Sequence, residues 1–97
     1  MPMIPLLIGD PVAVPYGDFS IEEPDKKRLW WLSIAAGGNP TYVTIRTGSS
    51  GPDGVIRWQQ AVPKDTTLHF DFSRPLYLER GLFINSTKAA IIQYGAS

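Results

Sequence analysis

The chain has 97 residues, the length of a single domain, and its 43% hydrophobic content is sufficient for one two-layer core. Nine basic and nine acidic residues give a formal net charge of zero. This balance argues against partners that are nucleic acids or anionic membranes, because both attract strongly basic surfaces. A near-neutral small domain tends to associate with other protein surfaces, so we expect a homo-oligomer or a complex. The absence of cysteine indicates synthesis in a reducing cytosol or stabilisation by partners.

The first 27 residues form a proline-rich segment that holds five of the nine prolines. Proline has no backbone N–H to donate, so regular sheet is not expected across this segment. Apolar side chains such as Ile4, Leu6 and Leu7 are too frequent for a disordered tail. We interpret residues 1–27 as an extended arm and connector. Two alternatives stay open, in which the arm packs on a partner or forms an edge strand and loop on its own domain.

From Arg28 onward, apolar and polar residues alternate with the period of β-strands, and no helical period occurs. Turn residues separate the runs 28–36, 41–47, 55–60, 66–72, 82–85 and 89–94. Arg74 and Pro75 are expected to turn the chain. The fold prediction is an all-β, antiparallel β-sandwich over residues 28–97, jelly-roll-like, with the extended N-terminal arm. The predicted inward residues are Trp30, Leu32, Ile34, Val43, Ile45, Ile56, Trp58, Leu68, Phe70, Phe72, Leu76, Leu78, Ala90, Ile92 and Tyr94.

Reactive chemistry is not indicated by any motif. His69 and Asp71 share one strand face, but a metal site needs three or four ligands, and the chain has one histidine and no cysteine. The glycine–serine run at 48–51 lacks the lysine of a phosphate-binding loop. We therefore predict no catalytic residue, no metal, no cofactor and no small-molecule substrate, which means that the protein is not an enzyme.

Aromatic side chains at outward positions are the signal that points to function. If Trp30 faces inward, alternation directs Trp31 to the other face, and the same count places Tyr42 and Tyr77 outward. Phe83 is outward if its neighbours Leu82 and Ile84 are core. Outward aromatics and arginines are typical of interface anchors. Two other interpretations are that the arm covers this face within the same chain, or that stacked aromatics form a sugar platform. The predicted interface residues are Ile4, Leu6, Leu7, Trp31, Tyr42, Arg46, Tyr77, Arg80 and Phe83.

Six segments follow one another in a recognisable order of strands and turns: Leu29–Ala36, Tyr42–Gly48, Gly54–Trp58, Phe70–Leu76, Gly81–Ile84 and Ala90–Tyr94. This order resembles that of small β-sandwich structural proteins of tailed phages and prophages. The similarity covers roughly residues 28–94. Thr47 stands where those proteins commonly have an acidic residue, and Phe83 stands where tyrosine is common.

This resemblance implies a virion component of a bacteriophage, since such proteins are mostly virion components and several kinds serve as capsid cement or decoration proteins; we expect a cement or decoration protein. Its partner would be the major capsid protein, with the protein on the capsid exterior as a trimer or dimer after synthesis in the bacterial host cytoplasm. Two alternatives are a receptor- or glycan-binding module of a tail fibre or baseplate, and an adaptor of the neck or tail.

Overall fold

A computed structural model of the chain describes residues 11–14, 20–49 and 51–97. The predicted arm residues Ile4, Leu6 and Leu7 lie outside the described residues. All regular structure in the described part is strand, as the alternation predicted. The strands are β1 (Val12–Val14), β2 (Ser20–Glu23), β3 (Arg28–Ala36), β4 (Thr41–Thr47), β5 (Val55–Val62), β6 (Thr67–Tyr77), β7 (Leu82–Ser86) and β8 (Ala90–Ala96).

The strands form two four-stranded antiparallel sheets that pack face to face. The first sheet has the order β1-β8-β3-β6, and the second has the order β2-β7-β4-β5. The prediction of an all-β sandwich is therefore confirmed.

The core lies between the inner faces of the two sheets. Each fully buried aliphatic side chain stabilises the fold by about 1.5 to 3 kcal/mol relative to exposure. Most members were predicted by alternation, because one face of each central strand is apolar. The core residues are Ile21, Leu29, Leu32, Ile34, Val43, Ile45, Val62, Leu78, Leu82, Ile84, Ala90 and Ile92.

A bulge in β3 makes the prediction for Trp30 wrong. The register of β3 with both neighbours shifts between Leu29 and Trp31, so Leu29 and Leu32 both face the core despite their odd spacing. Relative to β8, in which the partners Gly95 and Ala96 are consecutive, Trp30 is the extra residue. Its indole is only partly buried, and its Nε1 donates a hydrogen bond to Ser97 Oγ at 2.9 Å.

A second bulge, in β5, makes the prediction for Ile56 wrong. Ile45 pairs with Trp58, but Arg46 pairs with Ile56, so Arg57 is the extra residue. Ile56 consequently lies on the outer side beside Arg46, with 47% of its surface exposed. Trp58 packs against the core as predicted.

The predicted turn at Arg74 and Pro75 is instead part of β6, which continues to Tyr77. β6 is an edge strand of the first sheet. Between the pairs of Asp71 and Leu76 its regular register with β3 is interrupted. An edge or an irregular position tolerates proline, because no neighbour requires its missing N–H.

Two parts of the segment 1–27 are strands, contrary to the expectation that regular sheet would be absent there. β1 pairs with β8 in the first sheet, and β2 pairs with β7 in the second. Pro11, Pro15 and Pro24 flank these short edge strands and do not interrupt them. For these residues the own-domain alternative holds, whereas the domain boundary at residue 27 stays a prediction.

A hydrogen bond between Tyr94 and Glu23 joins the inner faces of the two sheets. The Tyr94 hydroxyl of β8 donates to Glu23 Oε2 of β2 at 2.5 Å. Burial raises the pKa of Tyr94, and the bond to the Glu23 carboxylate raises it further. The phenol is therefore held in its neutral, donating form.

Candidate interaction surfaces

The six predicted interface residues that the structure describes do not form one surface. Trp31 and Tyr77 belong to the first sheet, whereas Tyr42, Arg46 and Phe83 belong to the second. The two sheets pack through their inner faces, so their outer faces point in opposite directions. Alternation within a strand predicted that these side chains face outward, but it contained no information on which sheet each strand joins.

Trp31 lies over the backbone of β8 on the outer face of the first sheet. Its register partner on β8 is Gly95. A Cβ at position 95 would fall 2.6 Å from Cδ1 of the indole, which is closer than real side chains approach. Glycine at this position therefore lets the indole lie flat on the sheet. Sequence reasoning missed Gly95, because its role depends on the register between β3 and β8.

His69 and Asp71 extend the surface next to Trp31. The centroids of the Trp31 and His69 rings are 5.9 Å apart, and the ring planes differ by 29°. His69 Nε2 lies 3.0 Å from Asp71 Oδ1, which confirms that the two side chains share one strand face. We call Trp31, His69, Asp71 and Gly95 the Trp31 platform.

A small apolar groove occupies the other end of this outer face. Ala13, Ile91 and Ala35 are register partners across β1, β8 and β3. Ile91 is 52% exposed, and the groove has a volume of about 280 Å³. Its lining is formed by Ala13, Ala35, Ala36, Gly37, Ala89, Ala90 and Ile91.

On the outer face of the second sheet, one row of side chains runs across all four strands. Glu22 pairs with Phe83, Phe83 pairs with Arg46, and Arg46 pairs with Ile56. Phe83 is 9% exposed although it is not a member of the core between the sheets. The phenyl ring thus lies between an acidic and a basic register partner, with the exposed Ile56 beyond the arginine.

Tyr42 stands on the same outer face, on β4. Its side chain is 41% exposed, and its hydroxyl donates to Gln59 Oε1 at 3.2 Å. Gln59 Nε2 in turn donates to Thr44 Oγ1 at 3.4 Å. We call this surface the Tyr42–Phe83 face, defined by Glu22, Tyr42, Arg46, Ile56, Gln59 and Phe83.

Arg80 lies in the turn after β6, near the end of β4. Its backbone N–H donates to Thr47 Oγ1 at 2.7 Å, and its guanidinium packs on Gly48. Gly48 has a φ of +102°, and a Cβ there would lie 2.9 Å from Arg80 Cζ. Arg80 is therefore positioned by the loop between β4 and β5, and it belongs to neither outer face.

The exposed ring of Tyr77 has a cation beside it. The Arg28 guanidinium lies 5.8 Å from the centroid of the Tyr77 ring, and Tyr77 is 57% exposed.

Arg57 forms an ion pair with Glu79 on the surface. The Glu79 backbone N–H and the Arg57 guanidinium both hold the pKa of the Glu79 carboxyl below its usual value. Exposed pairs of this kind contribute little to stability.

Three aromatic rings meet where the edge strands β5 and β6 approach each other. The Trp58 ring contacts Phe70 edge-to-face at 5.0 Å between centroids and Phe72 at 6.2 Å. All three are partly buried and pack against the core. The inward assignment of these residues is thus confirmed, but their position at the open side of the sandwich leaves part of each ring accessible.

Within the part of the chain that the structure describes, no group of three or more His, Cys, Asp or Glu side chains has the arrangement of a metal site. Residues 11–14, 20–49 and 51–97 also include no helix long and apolar enough to cross a membrane. Comparisons of the chain with protein families, with curated proteins and with solved structures find no match.

Proposed function

We propose that the chain is a non-enzymatic structural protein of a tailed-phage virion, of the capsid cement or decoration type. Its partner is the major capsid protein, and it binds the exterior of the assembled shell. This proposal is based on the strand-and-turn order of residues 28–94, which resembles that of such virion proteins.

We also propose that the sandwich is a jelly roll. The chain places β1, β3, β6 and β8 in one sheet and β2, β4, β5 and β7 in the other, which supports this topology. Jelly rolls are built from eight strands and are frequent in viral capsid proteins and lectins.

The observation that carries the proposed binding is the composition of the Tyr42–Phe83 face. It combines an aromatic ring between opposite charges with exposed Tyr42 and Ile56. Tyrosine, phenylalanine and arginine are enriched in protein interfaces, and the centre of an interface is apolar with a polar rim. Phe83 is already largely covered, so Tyr42 and Ile56 are the apolar groups that a partner would bury.

The proposed mechanism is passive stabilisation by linkage. A protein that binds only the assembled lattice lowers the free energy of the shell by RT ln(1 + [L]/Kd), about 2.7 kcal/mol per site at a hundredfold excess over Kd. The arm of residues 1–27 contributes its apolar residues Ile4, Leu6 and Leu7 to a neighbouring subunit, by strand addition or groove packing.

The test is the thermal stability of empty shells assembled from the major capsid protein encoded in the same genome. Addition of the chain should raise the melting temperature of the shells, and Tyr42→Ala combined with Arg46→Glu should remove this gain. Ile91→Ala is the control, because it truncates an exposed apolar side chain on the opposite outer face, 52% exposed against 41% for Tyr42. Shells whose melting temperature is unchanged by the unmodified chain would refute the proposal.

A second candidate function is glycan binding by the Trp31 platform. The specific observation is that the indole lies on Gly95, with Asp71 and His69 beside it. A flat aromatic ring next to hydrogen-bonding side chains suits a sugar, whose C–H face packs on the ring while its hydroxyls bond the polar groups. This function would place the protein in a tail fibre or baseplate.

A glycan array with the isolated chain separates the two candidates. Binding that is lost in Trp31→Ala and retained in Tyr42→Ala supports the glycan function. Absence of binding to any glycan on the array leaves only the capsid proposal.

A further inference from the structure

β6 forms an open edge of the first sheet. It pairs with β3 on one side, and among the described residues no strand pairs with its other side. Natural edge strands are usually protected by proline, lysine, bulges or short length. The segment Thr67–Ser73 contains no proline, lysine or glycine, and its register with β3 is regular from Thr67 to Asp71. This edge therefore presents backbone N–H and C=O groups that are suited to a further strand.

The side chains of this segment sort into two rows. Leu68, Phe70 and Phe72 face the core side and are only partly buried, because they stand at the rim of the sandwich. His69 and Asp71 face the outer side, where their side chains are 51% and 70% exposed. A strand added at this edge would cover the apolar row and contact the polar one.

We propose that β6 pairs antiparallel with β6 of a second copy of this chain, about a two-fold axis at Phe70. In this register His69 lies opposite the partner's Asp71, and Asp71 lies opposite the partner's His69. Leu68 lies opposite the partner's Phe72, and Thr67 lies opposite the partner's Ser73. Apolar residues thus meet apolar residues, and each carboxylate meets an imidazole.

Neighbouring symmetric registers lack this complementarity. An axis at His69 places the two histidines opposite each other and pairs Asp71 with the partner's Thr67. An axis at Asp71 places two carboxylates in direct opposition, which is destabilising in a cross-strand pair. The axis at Phe70 is therefore the register that the sequence of β6 favours.

The paired dimer joins the two first sheets into one continuous sheet of eight strands. It also covers the open side at which Trp58 contacts Phe70 and Phe72. The inference concerns self-association alone and does not rest on the proposed capsid function, because the interface lies at the sheet edge and outside the Tyr42–Phe83 face.

Sedimentation equilibrium of the full chain measures the dissociation constant of the dimer, and charge variants test the two His69–Asp71 pairs. The unmodified chain should dimerise, and His69→Asp should weaken dimerisation about tenfold or more, because it creates two carboxylate–carboxylate contacts per dimer. The double variant His69→Asp with Asp71→His should restore dimerisation, since it exchanges the partners of each pair. Ala61→Asp is the control, because it adds one negative charge at an exposed position of β5, an edge strand of the second sheet.

Cysteine crosslinking tests the register, because the natural chain contains no cysteine. Thr67→Cys combined with Ser73→Cys should give disulfide-linked dimers, since residues directly opposite each other lie within disulfide range. Each single variant should stay uncrosslinked. A chain that remains monomeric up to about 1 mM, or a single variant that crosslinks as readily as the double, would overturn the proposal.

Discussion

At the scale of single residues, the contact between Gly95 and Trp31 has the most direct consequence. Gly95→Ala should displace the indole and destabilise the fold by about 1 kcal/mol, because a Cβ at position 95 has no space beneath the ring. Tryptophan fluorescence and urea unfolding measure the two effects. Gly38→Ala is the matched control, since nothing lies within 4 Å of its added Cβ. In a Trp31→Ala background the Gly95→Ala change should cost nothing; an unchanged cost would contradict the contact.

Tyr94 gives a prediction for pH dependence at the same scale. Its pKa is raised in the folded state above its ordinary value near 10, so its contribution to stability is complete below that value. As the pH rises above about 10, tyrosine in the unfolded chain ionises and the contribution falls.

Tyr94→Phe should therefore reduce stability at pH 7 by about 1.5 to 3 kcal/mol, the value of a hydrogen bond to a charged group. The difference from the unmodified chain should shrink in alkaline solution. Urea unfolding at pH 7 and above pH 10 measures this difference in stability, and Tyr77→Phe, a change at an exposed tyrosine, is the control. A difference that stays constant with pH would contradict the assigned bond to Glu23.

At the scale of strands, the two bulges decide which side chains are core. Ile45→Ala should cost about 2 to 5 kcal/mol, because this side chain is fully buried in β4. Ile56→Ala on the paired strand β5 should change the free energy of unfolding by less than about 0.5 kcal/mol, since surface substitutions rarely exceed that value. Chemical denaturation compares the two. Equal losses would mean that β5 has no bulge and that Ile56 is inward after all.

Alternation predicted most strands and most of the core, because the apolar residues of an amphipathic strand all lie on its buried face. It failed at Trp30 and Ile56, where a single extra residue reverses the faces, and no local residue type marks either bulge. It also failed at Pro75, where the position at a sheet edge makes proline acceptable. Edge position and bulges follow from pairing between distant strands, which a pattern within one strand does not contain.

At the scale of the whole molecule, the sandwich separates its candidate surfaces. The predicted anchors Trp31 and Tyr42 lie on opposite outer faces, and the β6 edge lies between them. A molecule of this kind can contact different partners with different surfaces, which is the property that a bridging protein needs. Sequence reasoning predicted outward aromatics correctly, but their separation depends on the assignment of strands to sheets.

The predicted arm residues give a further test at this scale. Replacing Ile4, Leu6 and Leu7 together by serine should weaken binding to assembled shells about tenfold or more, because their proposed contacts are apolar. The free energy of unfolding of the isolated chain should be unchanged, since those contacts are made to a neighbouring subunit. Co-sedimentation measures the binding, and urea unfolding is the control. A loss of stability without a loss of binding would instead place the arm on its own domain.

The most direct test of the assembly function is co-sedimentation of the chain with the major capsid protein in two states. The proposal predicts saturable binding to assembled empty shells and no binding to the unassembled capsid protein, because the binding site forms only between lattice subunits. A chain that stays in the supernatant with shells, or that binds free capsid subunits equally well, would contradict it.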